Sequence, residues 1–159
     1  MLEDDDPRAP ATAARKRRVL FLSTRNAGRS LIAAAWLRQA AGERFEVDSA
    51  GTHPAAVPHP VAVAVMLEVG IDLSRTRPRS SASARGSDYD LVIVVATLEA
   101  APAPPHLDGA RELIHWWCED PATAATAQQV QAFRRVRDDL QVRVRQLVAS
   151  GDPSSGSWR

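Results

Sequence analysis

The stretch from Arg18 to Leu37 constrains the fold more than any other part of the sequence. Arg18-Val19-Leu20-Phe21-Leu22 is a short, continuous apolar run, the pattern of a strand buried on both faces. A polar, glycine-containing turn follows, Ser23-Thr24-Arg25-Asn26-Ala27-Gly28-Arg29. Ser30-Leu31-Ile32-Ala33-Ala34-Ala35-Trp36-Leu37 is then rich in helix formers, with Gly42 placed to end the helix. The chain therefore enters a helix directly from the end of a buried strand.

The same alternation continues. Phe45-Glu46-Val47-Asp48-Ser49-Ala50 reads as a second strand closed by Gly51, and Pro60 opens a helix over Val61 to Val69 that Gly70 stops. Asp90-Leu91-Val92-Ile93-Val94-Val95 is the most strand-like stretch, and Leu113-Ile114-His115-Trp116 is a weaker fourth strand. From about Ala127 to Ala149, Val130, Phe133, Val136, Leu140, Val144 and Leu147 recur at three- and four-residue spacing. That spacing predicts a long amphipathic helix lying on a sheet. Strands alternating with helices predict an α/β fold, a three-layer sandwich around a short parallel sheet of about four strands.

With 159 residues, 45% of them apolar, the chain suits one core, expected over residues 17–149. Residues 1–16 lack periodicity and read as a flexible arm; residues 150–159 read as a similar tail. The net charge of +1 gives no global field toward nucleic acid or a membrane surface. The longest apolar runs, such as Leu91 to Ala96, are too short to cross a bilayer, and the start of the chain lacks a secretory pattern. Cys118 is the only cysteine, so no internal disulfide can form, and a cytoplasmic location is expected.

In open parallel sheets, ligands bind at the carboxyl ends of strands. The first strand delivers the chain straight into Ser23, and the turn ends at a helix N-terminus. Amides there lack helical partners and the helix dipole favours an anion, so Ser23, Thr24, Arg25, Asn26, Ala27, Gly28, Arg29 and Ser30 form a candidate oxyanion-binding loop. Arg29 can add a bidentate contact, Gly28 allows close backbone approach, and Asn26 tolerates a left-handed conformation. Thr24 and Ser30 can supply hydroxyl donors. Neither a Walker loop nor G-x-G-x-x-G is present.

The run Val19 to Ser30 resembles the active-site loop of low-molecular-weight tyrosine phosphatases and of the arsenate reductases built on that fold, in which a cysteine is followed by five residues, arginine and serine. The Asn-Ala-Gly-Arg-Ser ending is most similar to thiol-dependent arsenate reductases of actinobacteria. The resemblance continues through Asp48-Ser49-Ala50-Gly51-Thr52, Gly70-Ile71-Asp72-Leu73-Ser74 and Glu119-Asp120-Pro121-Ala122, and covers roughly Arg17 to Ala149. It implies a nucleophile at Ser23, an oxyanion clamp at Arg29 and a general acid at Asp120. It implies no cofactor, with a low-molecular-weight thiol as co-substrate if reductase activity exists. Phosphate, arsenate or sulfate is the implied ligand, and a phosphorylated partner protein an alternative.

Family chemistry runs through a thiolate, and Ser23 has none to offer. The chain also lacks relay cysteines in Ala96-Thr97-Leu98-Glu99-Ala100-Ala101-Pro102, and Ala122-Thr123-Ala124 replaces the tyrosines that follow Asp-Pro in the phosphatases. Three accounts of Ser23 stay open: natural loss leaving an inactive or weakly active binding module, a Cys→Ser trap of an active parent, and a serine nucleophile with its own chemistry. Asp120 reads either as a brace before Pro121 or as a pocket carboxylate. Cys118 reads as an inert thiol, and Trp116 and Trp117 as core or pocket rim. His53 and His59 lie in a proline-rich loop without companion ligands, so no metal site is expected. Arg75, Arg77, Arg79 and Arg85 read as a solvated loop, or as a docking patch for an acidic partner; without interleaved aromatics they do not suggest nucleic acid.

Overall fold

The computed structural model describes residues 15–84, 88–97 and 110–151. Four strands and three α-helices follow in the order β1 (Arg17–Ser23), α1 (Arg29–Ala41), β2 (Phe45–Gly51), α2 (Pro60–Leu67), β3 (Leu91–Ala96), β4 (Glu112–Trp117) and α3 (Gln129–Ser150). The sheet is parallel throughout, in the order β2-β1-β3-β4. From β1 the chain steps outward to β2, then returns across β1 to pair β3 on its other side. That reversal is the switch point of an open parallel sheet, and it lies where β1 ends at Ser23.

Because side chains alternate along a strand, the central strands feed two apolar clusters. Val19, Phe21, Ile93 and Val95 join all three helices on one side; Leu20, Leu22, Val92 and Val94 pack with Ala84, Tyr89 and Ala110 on the other. Helix α1 is covered almost all round, from Leu31 to Leu37. Its run of alanines leaves space for α3 to pack close against it. Helix α3 packs on α1 and α2, and buries Phe133, Val136, Leu140, Val144 and Leu147 as its periodicity predicts. Val130 departs from the pattern: it is 41% exposed, one residue into the helix and clear of the core. Arg143 takes a buried place instead, donating to the Trp117 carbonyl at 2.6 Å. Helix α3 ends at Gly151, whose φ of 69° supplies the left-handed cap. Among the described residues no helix is long and apolar enough to cross a membrane.

Tyr89 closes the second cluster. Its hydroxyl donates to Asp48 Oδ2 at 2.9 Å, and Arg79 Nη1 approaches Asp48 Oδ1 at 3.6 Å. Burial and then the Asp48 bond push the phenol up to about 12. A group whose folded pKa is raised stabilises fully below its unfolded value, about 10 for tyrosine, and that stabilisation is lost as pH rises through the folded value. Thermal stability should therefore fall between pH 10 and about 12, and Tyr89→Phe should flatten the slope. Tyr89 is the only tyrosine, so tyrosinate absorbance reads this group alone; a midpoint near 10 would show the buried pairing to be absent.

Candidate functional site

The loop that leaves β1 is built around Asn26, the one non-glycine residue with positive φ (49°) among the described residues. Asn26 is fully buried. Its backbone N–H donates to Ser23 Oγ at 3.1 Å, its Nδ2 donates to Ser30 Oγ at 2.8 Å, and its Oδ1 accepts from the Arg79 N–H at 2.9 Å. Ser30 Oγ lies 2.6 Å from Ser23 Oγ. Since Ser30 already accepts from the Asn26 amide, its own proton can point at Ser23. Two donors then converge on the Ser23 oxygen, an arrangement that favours negative charge at that atom.

The loop's carbonyls are turned outward. Those of Ser23, Thr24, Arg25 and Ala27 accept from Thr52, His53, Ala55 and His59, at 3.3, 2.8, 2.9 and 2.8 Å. The first turn of α1 follows Gly28 without a side-chain cap. Its amides are thus left to an incoming anion. Two glycines make this packing possible. A Cβ on Gly51 would stand 2.7 Å from the Thr24 carbonyl oxygen and 2.9 Å from the Asn26 nitrogen. A Cβ on Gly28 would stand 3.2 Å from Phe133 Cε1.

Arg29, 9% exposed, donates through Nη1 to the Cys118 carbonyl at 3.4 Å and approaches Asp120 Oδ2 through Nη2 at 3.6 Å. Asp120 Oδ1 accepts from the Ala122 N–H at 3.1 Å. Asp120 therefore fits both readings at once: one oxygen caps the short turn Pro121–Thr123, the other meets the loop arginine.

Ser23, Arg25, Ala27, Gly28, Arg29 and Asp120 share a cavity of about 370 Å³ with a largely apolar wall of Val57, Pro58, His59, Pro60, Pro121 and Phe133. Thr24, Asn26 and Ser30 do not line it. The Ser30 hydroxyl is committed to Ser23 and Asn26, so it supports the loop from behind rather than donating into the pocket. Trp116 and Trp117 are not on the rim either: Trp116 packs on Phe21 at 5.7 Å between ring centroids, and Trp117 stacks on His115 at 4.8 Å. Cys118 is buried, donates to the Glu119 carbonyl, and has its thiol pushed up to about 11 by burial.

Arg75 and Arg77 are exposed, but Arg79 is more than a solvated charge, since its backbone holds Asn26 and its side chain pairs with Asp48. Arg85 and Leu98 to Pro102 lie outside the described residues. The apolar wall escapes a reading by sequence. Phe133 shows only as one more core position of an amphipathic helix, and His59 only as one residue of a proline-rich loop. His59 Nδ1 accepts from the Val61 N–H at 3.1 Å, and its ring lies 4.7 Å from that of Phe133. Burial lowers the imidazole pKa, with the Asp120 charge opposing.

Comparison with known proteins places this site in a family setting. The family model described as low molecular weight phosphotyrosine protein phosphatase matches residues 18–153. An arsenate reductase of Halalkalibacterium halodurans is 33% identical over 138 residues, spanning 86% of this chain and 98% of the relative. Arsenate reductase 1 of Bacillus cereus is 32% identical over 140 residues, with the same two shares. The solved structure of an arsenate reductase in the phosphate binding state aligns with a TM-score of 0.73 at 31% identity, covering 84% of this chain and 97% of that one. A low molecular weight protein tyrosine phosphatase from T. tengcongensis, at 24% identity and a TM-score of 0.64, covers 84% of this chain and 99% of its own, and shares the fold.

Proposed function

The chain belongs to the low molecular weight phosphotyrosine protein phosphatase family, and we propose that it binds phosphate or arsenate in the Ser23–Ser30 loop and turns it over feebly or not at all. The observation that carries this reading is the Asn26 brace, which orders an anion-ready loop around a serine hydroxyl. Arg29 clamps the oxyanion, Asp120 is the carboxylate beside it, and Ser23 occupies the position of the nucleophile. The arsenate reductases among its relatives, and the solved arsenate reductase in the phosphate binding state, support the ligand class.

A hydroxyl ionises far above neutral pH, and an alkoxide needs a general base to form. The carboxylate of Asp120 is engaged by Arg29 and the Ala122 amide, so it is not poised to act as one. Binding needs no cofactor; a low-molecular-weight thiol enters only if reductase activity is present. Arg25, exposed on the pocket wall, favours a second reading in which the oxyanion is a phosphoryl group carried by a partner protein.

Titration calorimetry with inorganic phosphate tests the binding. Arg29→Ala removes a charge-assisted donor worth about 1.5–3 kcal/mol, so affinity should fall roughly ten- to a hundredfold. Ligand at a hundred times its dissociation constant stabilises a fold by about 2.7 kcal/mol, so the melting temperature of the unmutated protein should rise with phosphate. Failure of phosphate, arsenate and sulfate alike to bind or to protect against heat would end the proposal.

A further inference from the structure

We propose that His59 is a ligand-contacting residue, whose Nε2–H donates from the pocket wall to the outward oxygen of the tetrahedral oxyanion held by the loop. The inference rests on the oxyanion-binding reading above and adds a recognition group to it.

The ring is fixed on three sides. Its backbone N–H is bonded to the Ala27 carbonyl at 2.8 Å, which ties His59 to the anion loop itself. Its Nδ1 accepts from the Val61 amide at the start of α2, at 3.1 Å. Its face rests on Phe133 at 4.7 Å, and Phe133 in turn lies against Gly28 at the loop's end. An imidazole whose Nδ1 accepts an amide proton carries its own proton on Nε2. The tautomer is therefore set by the helix cap, independently of any ligand.

Protonating Nδ1 would put two donors face to face at the Val61 amide, so the cap holds the ring neutral, and burial acts in the same direction. Nε2 is then the ring's remaining polar atom, and His59 lines the cavity that holds Ser23 and Arg29. It has no hydrogen-bond partner among the described residues. Val57, Pro58, Pro60, Pro121 and Phe133 on that wall have no side-chain donor; besides His59, the exposed Arg25 is the wall's other donor. The loop amides and Arg29 grip the inner oxygens of a tetrahedral anion; His59 is placed to donate to the outward one.

The two ring nitrogens can be separated by substitution. His59→Asn retains a short acceptor for the Val61 amide but withdraws the donor from the pocket. His59→Gln carries an amide donor out to the Nε2 position and gives up the cap. Calorimetry with inorganic phosphate should show affinity weakened about three- to tenfold in His59→Asn and close to unmutated in His59→Gln. Melting temperature should move the other way, unchanged in His59→Asn and lower by a few degrees in His59→Gln. Phosphate binding by His59→Asn at the unmutated affinity would overturn the proposal, leaving His59 as a helix cap only. Equal loss of binding in both variants would overturn it too, since no donor would have been replaced. Absence of phosphate binding in the unmutated protein would instead remove the oxyanion reading, and this inference with it.

Discussion

Ser23→Cys is expected to raise hydrolysis of a generic aryl phosphate by at least about a hundredfold. The expectation follows from what already surrounds residue 23. The Asn26 amide and the Ser30 hydroxyl converge on its side-chain atom, and Arg29 and the N-terminus of α1 stand at the same pocket. All four favour an anion. A cysteine there starts from a thiol pKa of about 8.5, within reach of such a field, whereas a hydroxyl does not.

In the expected reaction the thiolate attacks phosphorus as the aryl oxygen leaves with a proton from the acid form of Asp120. Water then cleaves the phosphorus–sulfur bond, giving a proton back to Asp120 and freeing the thiolate. Ser23→Cys combined with Asp120→Asn should accordingly lose much of what Ser23→Cys gains, by a factor of roughly 10²–10⁴. Arsenate reduction by Ser23→Cys would need an external thiol. Cys118, the sole native cysteine, is buried with its thiol pushed up to about 11, which leaves it a poor relay. If Ser23→Cys shows neither activity while phosphate still binds, the pocket has diverged beyond one residue and the protein is a binder by construction.

Asn26→Ala should cost the fold roughly 2–4 kcal/mol, lowering the melting temperature by on the order of 10 °C. Asn26 is fully buried, and the substitution removes both of its side-chain bonds. The Arg79 N–H is left without its acceptor and the Ser30 hydroxyl without the donor that orients it. Alanine also adopts the left-handed region, here φ 49°, less readily than asparagine. Asn26→Gly separates the two contributions: it relieves the backbone but restores no bond, so it should recover only about 1 kcal/mol. A loss within about 0.5 kcal/mol of zero for Asn26→Ala would show that the brace does not hold the loop. Phosphate affinity should fall with stability, since the loop amides depend on the same residue.

The alternation of strand and helix, the parallel sheet and the loop between Ser23 and Ser30 were legible because each rests on local chemistry. A buried parallel strand reads as an unbroken apolar run, as in β1 and β3. A helix declares itself by its spacing and its ends, as Pro60 and Gly70 mark out α2. A turn between such a strand and helix exposes amides whatever the rest of the chain does. The family resemblance added Asp120, distant in sequence, to Ser23 and Arg29, and the structure brings all three to one cavity.

Only the tertiary structure decided what stands around that loop. The sheet order carries the segment from Thr52 to His59 over the loop's outer carbonyls, and brings Arg79 to Asn26 across 53 residues. Neither contact has a periodic or compositional trace, because each draws on a backbone N–H that nearly every residue possesses. Helix α1 gives no amphipathic stripe, since it is packed on nearly every side and its alanines hide which face meets α3. Phe133 and His59 took their places as pocket wall because α3 and α2 converge beside Gly28. Residue type and spacing state which groups can bind an anion; the packing of separate elements fixes which of them face the same few ångströms.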